Sequence, residues 1–117
     1  MIFDEPSKRI WFCTKPTDMR KSFGGLQAII LNEMDREPLD GDYFVFVNRR
    51  KTHMKIFYFE RTGFCIWMKR LEAGQFRTPA STDGSHELTY TDLKLALEGI
   101  KIEKASYSKR WHYSKVA

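Results

Sequence analysis

Residues 45–79 have the sequence VFVNRRKTHMKIFYFERTGFCIWMKRLEAGQFRTP, in which apolar and aromatic blocks alternate with blocks of arginine and lysine. Together with the preceding tyrosine and phenylalanine, they contain three strand-like runs, at 43–47, 54–60 and 63–71. β-Branched and aromatic residues favour strands, and links as short as those between these runs allow only antiparallel neighbours. The stretch therefore predicts an antiparallel meander over residues 43–71.

The link between the second and third runs sets the expected register. A three-residue loop of Arg61, Thr62 and Gly63, with Gly63 in the left-handed region, would pair Glu60 with Phe64. One face would then carry Met54, Ile56, Tyr58, Ile66 and Met68, and the other Lys55, Phe57, Phe59, Cys65, Trp67 and Lys69. This register places Lys55 directly opposite Lys69, a repulsive pair unless an anion or a carboxylate lies nearby.

Two helices are expected outside the meander. A strand at 8–14 ends at Pro16, after which apolar residues recur at helical spacing from Met19 to Ile30 and predict a helix over 17–34. A second, short helix is predicted over 91–98, capped by Thr91. The expected fold is α+β: an antiparallel sheet of three or four strands packed against the long helix. That helix should cover the Met54 face, and the short helix or the tail should cover the Trp67 face only in part.

The chain of 117 residues is long enough for one domain, which we place at 1–102, followed by a basic, aromatic tail at 103–117. The tail interleaves Lys109 and Arg110 with Trp111, which suits stacking on bases but equally suits a frayed terminus. No run approaches the roughly 18 apolar residues that cross a bilayer, and the N-terminus lacks the pattern of a signal peptide. We expect a cytoplasmic protein in which Cys13 and Cys65 are reduced and largely buried.

Positive charge is concentrated in the meander. The chain has a net charge of +5, but residues 43–77 alone hold eight basic side chains against Glu60 and Glu72. Clustered positive charge favours a polyanionic partner, although solvated hairpin tips would give the same count.

The sequence offers no pattern typical of catalysis or of ligand binding. The histidines and cysteines have no metal-ligand spacing, the strand interiors hold no acidic residue, and the KSFGG stretch lacks the frame of a phosphate loop. We therefore expect no catalytic residue, metal, cofactor or small-molecule substrate.

Three stretches are similar to one known family. PTDMRKSFGGL (16–26), FVFVNRRKTHMKIFYFERTGFCIWMKRLEAGQFRTP (44–79) and LTYTDLKLALEGI (88–100) resemble, in order and spacing, the TnpB (Orf2) accessory proteins of the insertion sequence 66 family of bacterial transposable elements. The resemblance implies a non-catalytic, cofactor-free protein that is needed beside a separate transposase. At 59–61 the sequence FER departs from the acidic turn associated with the family and adds a positive charge.

Two functional hypotheses follow. In the first, the protein binds DNA through the 49–55 hairpin, the 69–77 segment and the start of the long helix; the candidate residues are Arg49, Arg50, Lys51, Lys55, Lys69, Arg70, Arg77, Arg20 and Lys21. Lys55, Lys69, Arg70 and the hairpin tip would form one basic strip bordered by aromatics. In the second, the protein is an adaptor that docks on the transposase or on the element's other accessory protein through Phe57, Phe59 and Trp67.

Overall fold

A single mixed sheet of five strands organises the part of the chain that the structure, a computed structural model, describes: residues 7–99. The strands are β1 (Ile10–Cys13), β2 (Tyr43–Val47), β3 (His53–Glu60), β4 (Gly63–Arg70) and β5 (Ser85–Leu88), in the spatial order β4-β3-β2-β1-β5. The helices are α1 (Phe23–Asn32) and α2 (Tyr90–Glu98), with a 3₁₀ turn at Pro38–Asp40. The α+β class is confirmed.

The sequence predicted an antiparallel sheet of three or four strands, but the sheet is mixed and has five, because Ser85–Leu88 adds β5 beside β1. β1 pairs with β2 in parallel, with Trp11 beside Phe44, while every other pairing is antiparallel. Two parallel neighbours need a crossover, and α1 lies in the chain between them. All residues of β1 and β2 are buried, as expected for strands covered on both faces.

The meander predicted over 43–71 is confirmed in topology, but its last register is shifted by one residue. β3 and β4 are joined by a two-residue turn, so that Glu60 pairs with Gly63 and Lys55 lies opposite Met68. Arg61, not Gly63, occupies the left-handed region, with φ 58°. Since a shift of one residue moves every side chain of a strand to the other face, the predicted facing of Lys55 and Lys69 is wrong.

Each face of the sheet has its own core. α1 packs Leu26, Ile29 and Ile30 against the face that carries Phe44, Phe46 and Phe57. The opposite face, with Met54 and Ile56, is covered by Phe76 and by Leu93 and Ala96 of α2. The prediction that the long helix covers the Met54 face is therefore wrong. Trp67 is partly buried, but it lies on the α2 side with Met54 and Ile56, whereas Phe57 lies on the α1 side, so the predicted Trp67 face is not formed.

The first helix is shorter than the predicted span of 17–34. Residues 17–22 form a loop, in which the Thr17 amide donates to the Val47 carbonyl at 2.9 Å and the Arg20 amide donates to the Asp18 carboxylate at 2.9 Å. An aspartate that accepts a local amide favours a turn over a helix. The second helix matches its prediction to within one residue, but its capping box is formed by Thr89 with Asp92, not by Thr91.

Lys55 holds the loop before α1 in place. Its side chain is only 8% exposed. The ammonium donates to the carbonyl oxygens of Met19 at 2.9 Å and Lys21 at 2.7 Å. Within residues 7–99 it has no carboxylate partner. A buried cation is tolerated when such bonds satisfy it, and these two join β3 to the loop.

The structure gives no test of the boundary predicted at residue 102, because the basic, aromatic tail at 103–117 lies outside the described residues. Within 7–99, neither helix is long and apolar enough to cross a bilayer.

We predict that Lys55→Met destabilises the protein by about 1.5–3 kcal/mol, the usual loss when bonds to a charged group are removed. Methionine matches the length of lysine but leaves the two carbonyls of the loop without their donor. Urea unfolding followed by circular dichroism measures the change. Lys51→Met, at an exposed position, serves as the control and should stay within about 0.5 kcal/mol of the natural protein. Equal stability of the two variants would show that Lys55 does not anchor the loop.

The two cysteines should differ in reactivity. Both are free; Cys13 is buried, as expected, but Cys65 is only half-buried. Burial also raises the pKa of the Cys13 thiol, which lowers its thiolate fraction. We therefore expect a neutral thiol reagent to label the native protein at Cys65 first, so that Cys65→Ser labels slowly while Cys13→Ser labels at the natural rate. Faster labelling of Cys13 would contradict the described packing of β1.

Candidate nucleic-acid interface

The turn between β2 and β3, residues 48–52, is closed by both backbone and side-chain bonds. The Lys51 amide donates to the Asn48 carbonyl at 3.0 Å, and Lys51 takes a left-handed φ of 62°. The Asn48 side-chain oxygen accepts from the amides of Thr52 at 2.9 Å and His53 at 3.0 Å. Asparagine is well suited to this bonding of its own turn. The chain therefore leaves and re-enters the sheet in one defined geometry.

A second segment, residues 71–76, fastens the same turn from outside. The amides of Leu71 and Phe76 donate to the carbonyls of Thr52 and Lys51, both at 2.8 Å, and the Gln75 side chain donates to the Arg50 carbonyl at 2.9 Å. The ring of Phe76 is buried in the α2-side core. Three successive carbonyls of the turn are thus tied to a segment that is itself anchored in the core.

The side chains carried by this fixed backbone are Arg49, Arg50 and Lys51, which we call the turn cations. All three are exposed. None forms an ion pair with a described residue, whereas Arg20 and Arg70 do. Three adjacent like charges are therefore held together without a counter-charge from the described part of the chain.

The turn cations lie where the carboxyl ends of β1 and β2 meet. The Thr17 amide bonds to the last residue of β2, which brings the loop after β1 against the turn. Between them is an open cleft of about 490 Å³, which we call the edge cleft; it is lined by Pro16, Thr17, Asp18, Met19, Asn48, Arg49, Arg50 and His53. The motifs PTDM and NRR, distant in sequence, form its two walls.

A smaller cleft of about 150 Å³ lies beside the first, and Arg49 is common to both. Lys51 and Lys15 also line it. Lys15 makes only a long contact of 4.0 Å with Glu33. Positive side chains therefore border two neighbouring concave surfaces.

The other predicted basic residues divide by what they contact. Lys69 donates to the Leu97 carbonyl at 2.8 Å, near the end of α2, while Lys55 is bonded on the opposite, α1 side of the sheet. The expected strip of Lys55, Lys69, Arg70 and the hairpin tip is therefore wrong. It depended on the register that the two-residue turn replaces.

Two more predicted residues are held in surface ion pairs. Arg20 contacts Asp18 at 2.7 Å and Arg70 contacts Glu72 at 3.0 Å. The bonds from Arg20 lower the pKa of the Asp18 carboxyl far below its usual range. Both arginines are exposed and keep donors for other partners, but their charge is already offset.

Lys21 and Arg77 are exposed and have no ion pair with described residues. Arg77 lines a third cleft, of about 270 Å³, with His86 and Asp92 on the α2 side. It therefore borders a cleft that the turn cations do not line.

The three aromatics predicted as one docking surface do not form one. Phe57 is fully buried and stacks on Phe64 with ring centroids 5.0 Å apart. Phe59 is half-buried on the same face, whereas Trp67 belongs to the other. The exposed large apolar side chains on the α1 side instead include Phe23, at 45%, and Met68, at 48%.

Sequence reasoning missed the residues that shape the site. The residues that hold or line the turn include Asn48, His53 and Gln75. Only their arginine and lysine neighbours had been named as candidates from the sequence. An asparagine immediately before a basic hairpin tip was the available signal for the first. Nothing local to Gln75 reveals its contact, because it joins segments 25 residues apart in sequence. Among the described residues, no group of His, Cys, Asp and Glu side chains could hold a metal ion.

Comparison with known proteins identifies the family. The pattern of the family described as "IS66 Orf2 like protein" matches residues 8–107. Two similar proteins from Sinorhizobium fredii (strain NBRC 101917 / NGR234) carry the names "Uncharacterized protein y4hO" and "Uncharacterized protein y4jC". The first is 34% identical over 92 residues, covering 79% of this chain and 80% of its own. The second is 30% identical over 100 residues, covering 86% of each.

No solved structure matches the chain. The family match includes both walls of the edge cleft and the segment that fastens the turn. The resemblance inferred from the sequence motifs is thereby confirmed, and the chain belongs to the IS66 Orf2-like family of transposition accessory proteins.

Proposed function

We propose that this protein serves transposition by binding DNA through the turn cations. The observation that carries the proposal is that the three cations are exposed and have no ion-pair partner within residues 7–99. Their backbone is nevertheless hydrogen-bonded both within the turn and to the 71–76 segment. Because the backbone of the turn is fixed before binding, only the side chains lose conformational entropy when they meet a phosphate. Solvated hairpin tips that serve only solubility need no such bracing.

The surroundings of the turn suit a polyanion. Lys15 and the exposed Lys21 lie on the loop that follows β1, and Thr17 of that loop is bonded to the end of β2. Among residues 7–99, the only acidic residue that lines either cleft bordered by the turn cations is Asp18, which Arg20 already pairs. DNA presents phosphates at short, regular intervals, so that several lysines and arginines at one edge can be neutralised together.

A second candidate function is docking on the transposase or on another accessory protein of the element. The observation that favours it is the edge strand β4, which within residues 7–99 pairs only with β3 and carries the exposed Met68. An eight-residue edge strand with an apolar side chain in the open is a surface that a partner strand can extend. Its contact residues would be Met68 and the neighbouring Phe64 and Ile66, in place of Phe57 and Trp67.

The DNA proposal predicts a specific salt dependence. Binding of duplex DNA from the element's ends should weaken steeply as salt rises, and Arg49→Gln/Arg50→Gln should reduce the slope of log K against log salt by about two units, since each phosphate contact contributes about 0.9. Fluorescence anisotropy over a salt series measures both. The unfolding free energy of this variant should stay within about 1 kcal/mol of the natural protein, because exposed charges without partners contribute little.

Arg61→Gln/Lys94→Gln is the matched control, because it removes the same charge from exposed positions outside both clefts of the turn. It should leave the slope nearly unchanged. If the two double variants lose affinity equally, only net charge matters and the turn is not the site. If the natural protein fails to bind DNA even at low salt, the proposal is wrong and docking through the β4 edge becomes the better account.

A further inference from the structure

The edge cleft contains a histidine whose hydrogen-bond role the structure determines. Asn48 is fixed in orientation, because its side-chain oxygen accepts two backbone amides and its Nδ2 must then point the other way. That Nδ2 donates to the Thr52 hydroxyl at 3.1 Å and lies 3.3 Å from His53 Nδ1. Asn48 Nδ2 is therefore identified as a donor in this network of three side chains.

The remaining assignments follow from that donor. Since the Thr52 oxygen accepts from Asn48, its own hydrogen is free for His53 Nδ1, which lies 2.9 Å away. A side-chain amide nitrogen can only donate, so the Asn48 contact makes Nδ1 an acceptor, and the Thr52 hydroxyl, which can donate or accept, fits this assignment as a donor. A neutral imidazole with an accepting Nδ1 carries its proton on Nε2. His53 is thus set as an Nε2–H donor, and this nitrogen has no hydrogen bond to a described residue.

We infer that the edge cleft binds one phosphate group of a DNA strand, held by Arg49, Arg50 and the neutral Nε2–H of His53. The inference rests on the proposed DNA-binding function and deepens it. All three side chains line the same cleft. Guanidinium groups supply charge and paired donors for phosphate oxygens, while a fixed neutral donor fixes where the phosphate sits.

The rest of the cleft is compatible with this ligand. Asp18 brings a carboxylate, but Arg20 donates to it from its amide, Nε and Nη2, at 2.7–3.1 Å. The Thr17 hydroxyl, buried in the same wall, has no nitrogen or oxygen partner among the described residues. Pro16 and Met19 add apolar surface of the kind that accepts a deoxyribose.

A pair of His53 variants tests the inference. His53→Leu removes the Nε2–H donor, whereas His53→Gln keeps an N–H at a similar distance from the backbone. Both lose the Nδ1 acceptor, so any structural cost is shared, and thermal unfolding measures it. We expect His53→Leu to weaken DNA binding about two- to tenfold, the range for one neutral hydrogen bond, and His53→Gln to bind close to the natural protein. The salt slope should stay unchanged in both, since a neutral donor releases no counterion.

A titration of the full chain with inorganic phosphate, followed by nuclear magnetic resonance of the histidine ring nitrogens, gives the second readout. The His53 Nε2–H signal should shift in the natural protein and not in Arg49→Gln/Arg50→Gln. Equal DNA affinity of His53→Leu and the natural protein, or a phosphate-induced shift confined to His86, would overturn the phosphate site.

The experiments distinguish failure of the phosphate site from failure of DNA binding. If Arg49→Gln/Arg50→Gln lowers the salt slope while both His53 variants bind as the natural protein does, the cleft does not seat a phosphate but the DNA function stands. If phosphate shifts His53 but no DNA is bound at low salt, the anion site is supported and the DNA function is refuted.

Discussion

The parallel pairing of β1 with β2 is the constraint on which the site depends. Parallel neighbours cannot be joined by a hairpin, so the chain must cross over one face of the sheet, and α1 makes that crossing. Both strands then end at the same edge. The loop after β1 and the turn after β2 are thereby brought side by side, although more than thirty residues separate Pro16 from Asn48. Without that pairing the PTDM and NRR motifs would have no reason to share a cleft.

Basic residues that look alike in the sequence have different tasks in the fold. Lys55 and Lys69 use their ammonium groups to bond backbone carbonyls on opposite sides of the sheet. The turn cations have no such partner within residues 7–99, yet the carbonyls of Arg50 and Lys51 are bonded to the 71–76 segment. The proposed DNA-binding residues are therefore selected by the bonds that each cation makes and not by the number of cations. The same criterion selects His53, whose Nδ1 is hydrogen-bonded while its Nε2 has no bond to a described residue.

The elements that depend on residues close together in the sequence were predicted correctly from the pattern of those residues. The meander over 43–71 follows from strand-forming runs and short links, and α2 follows from its apolar spacing and the Gly99 stop. The register of β4 could not be predicted, because it depends on whether Arg61 or Gly63 enters the left-handed region. An arginine is conformationally strained at positive φ, so the sequence favoured Gly63 for that position. The neighbour of β1 and the true start of α1 depend on tertiary bonds, chiefly that of Val47 to Thr17 and those of Lys55 to the loop.

The basic residues of the turn were predicted from the sequence, but the residues that lie next to them in the fold were not. Arg49, Arg50 and Lys51 were identified from their clustering. The strip that was to join them to Lys55 and Lys69 failed with the register, and the cleft that Arg49 and Arg50 do border is formed with a loop that sequence reasoning assigned to a helix.

The most direct test of the account is a map of backbone amide shifts across the full chain as duplex DNA from the element's ends is added. The account predicts that the largest shifts fall on residues 15–21 and 48–53, on both sides of the edge cleft, with little change along β4. Shifts concentrated on Phe64, Ile66 and Met68, with residues 48–53 unaffected, would contradict it.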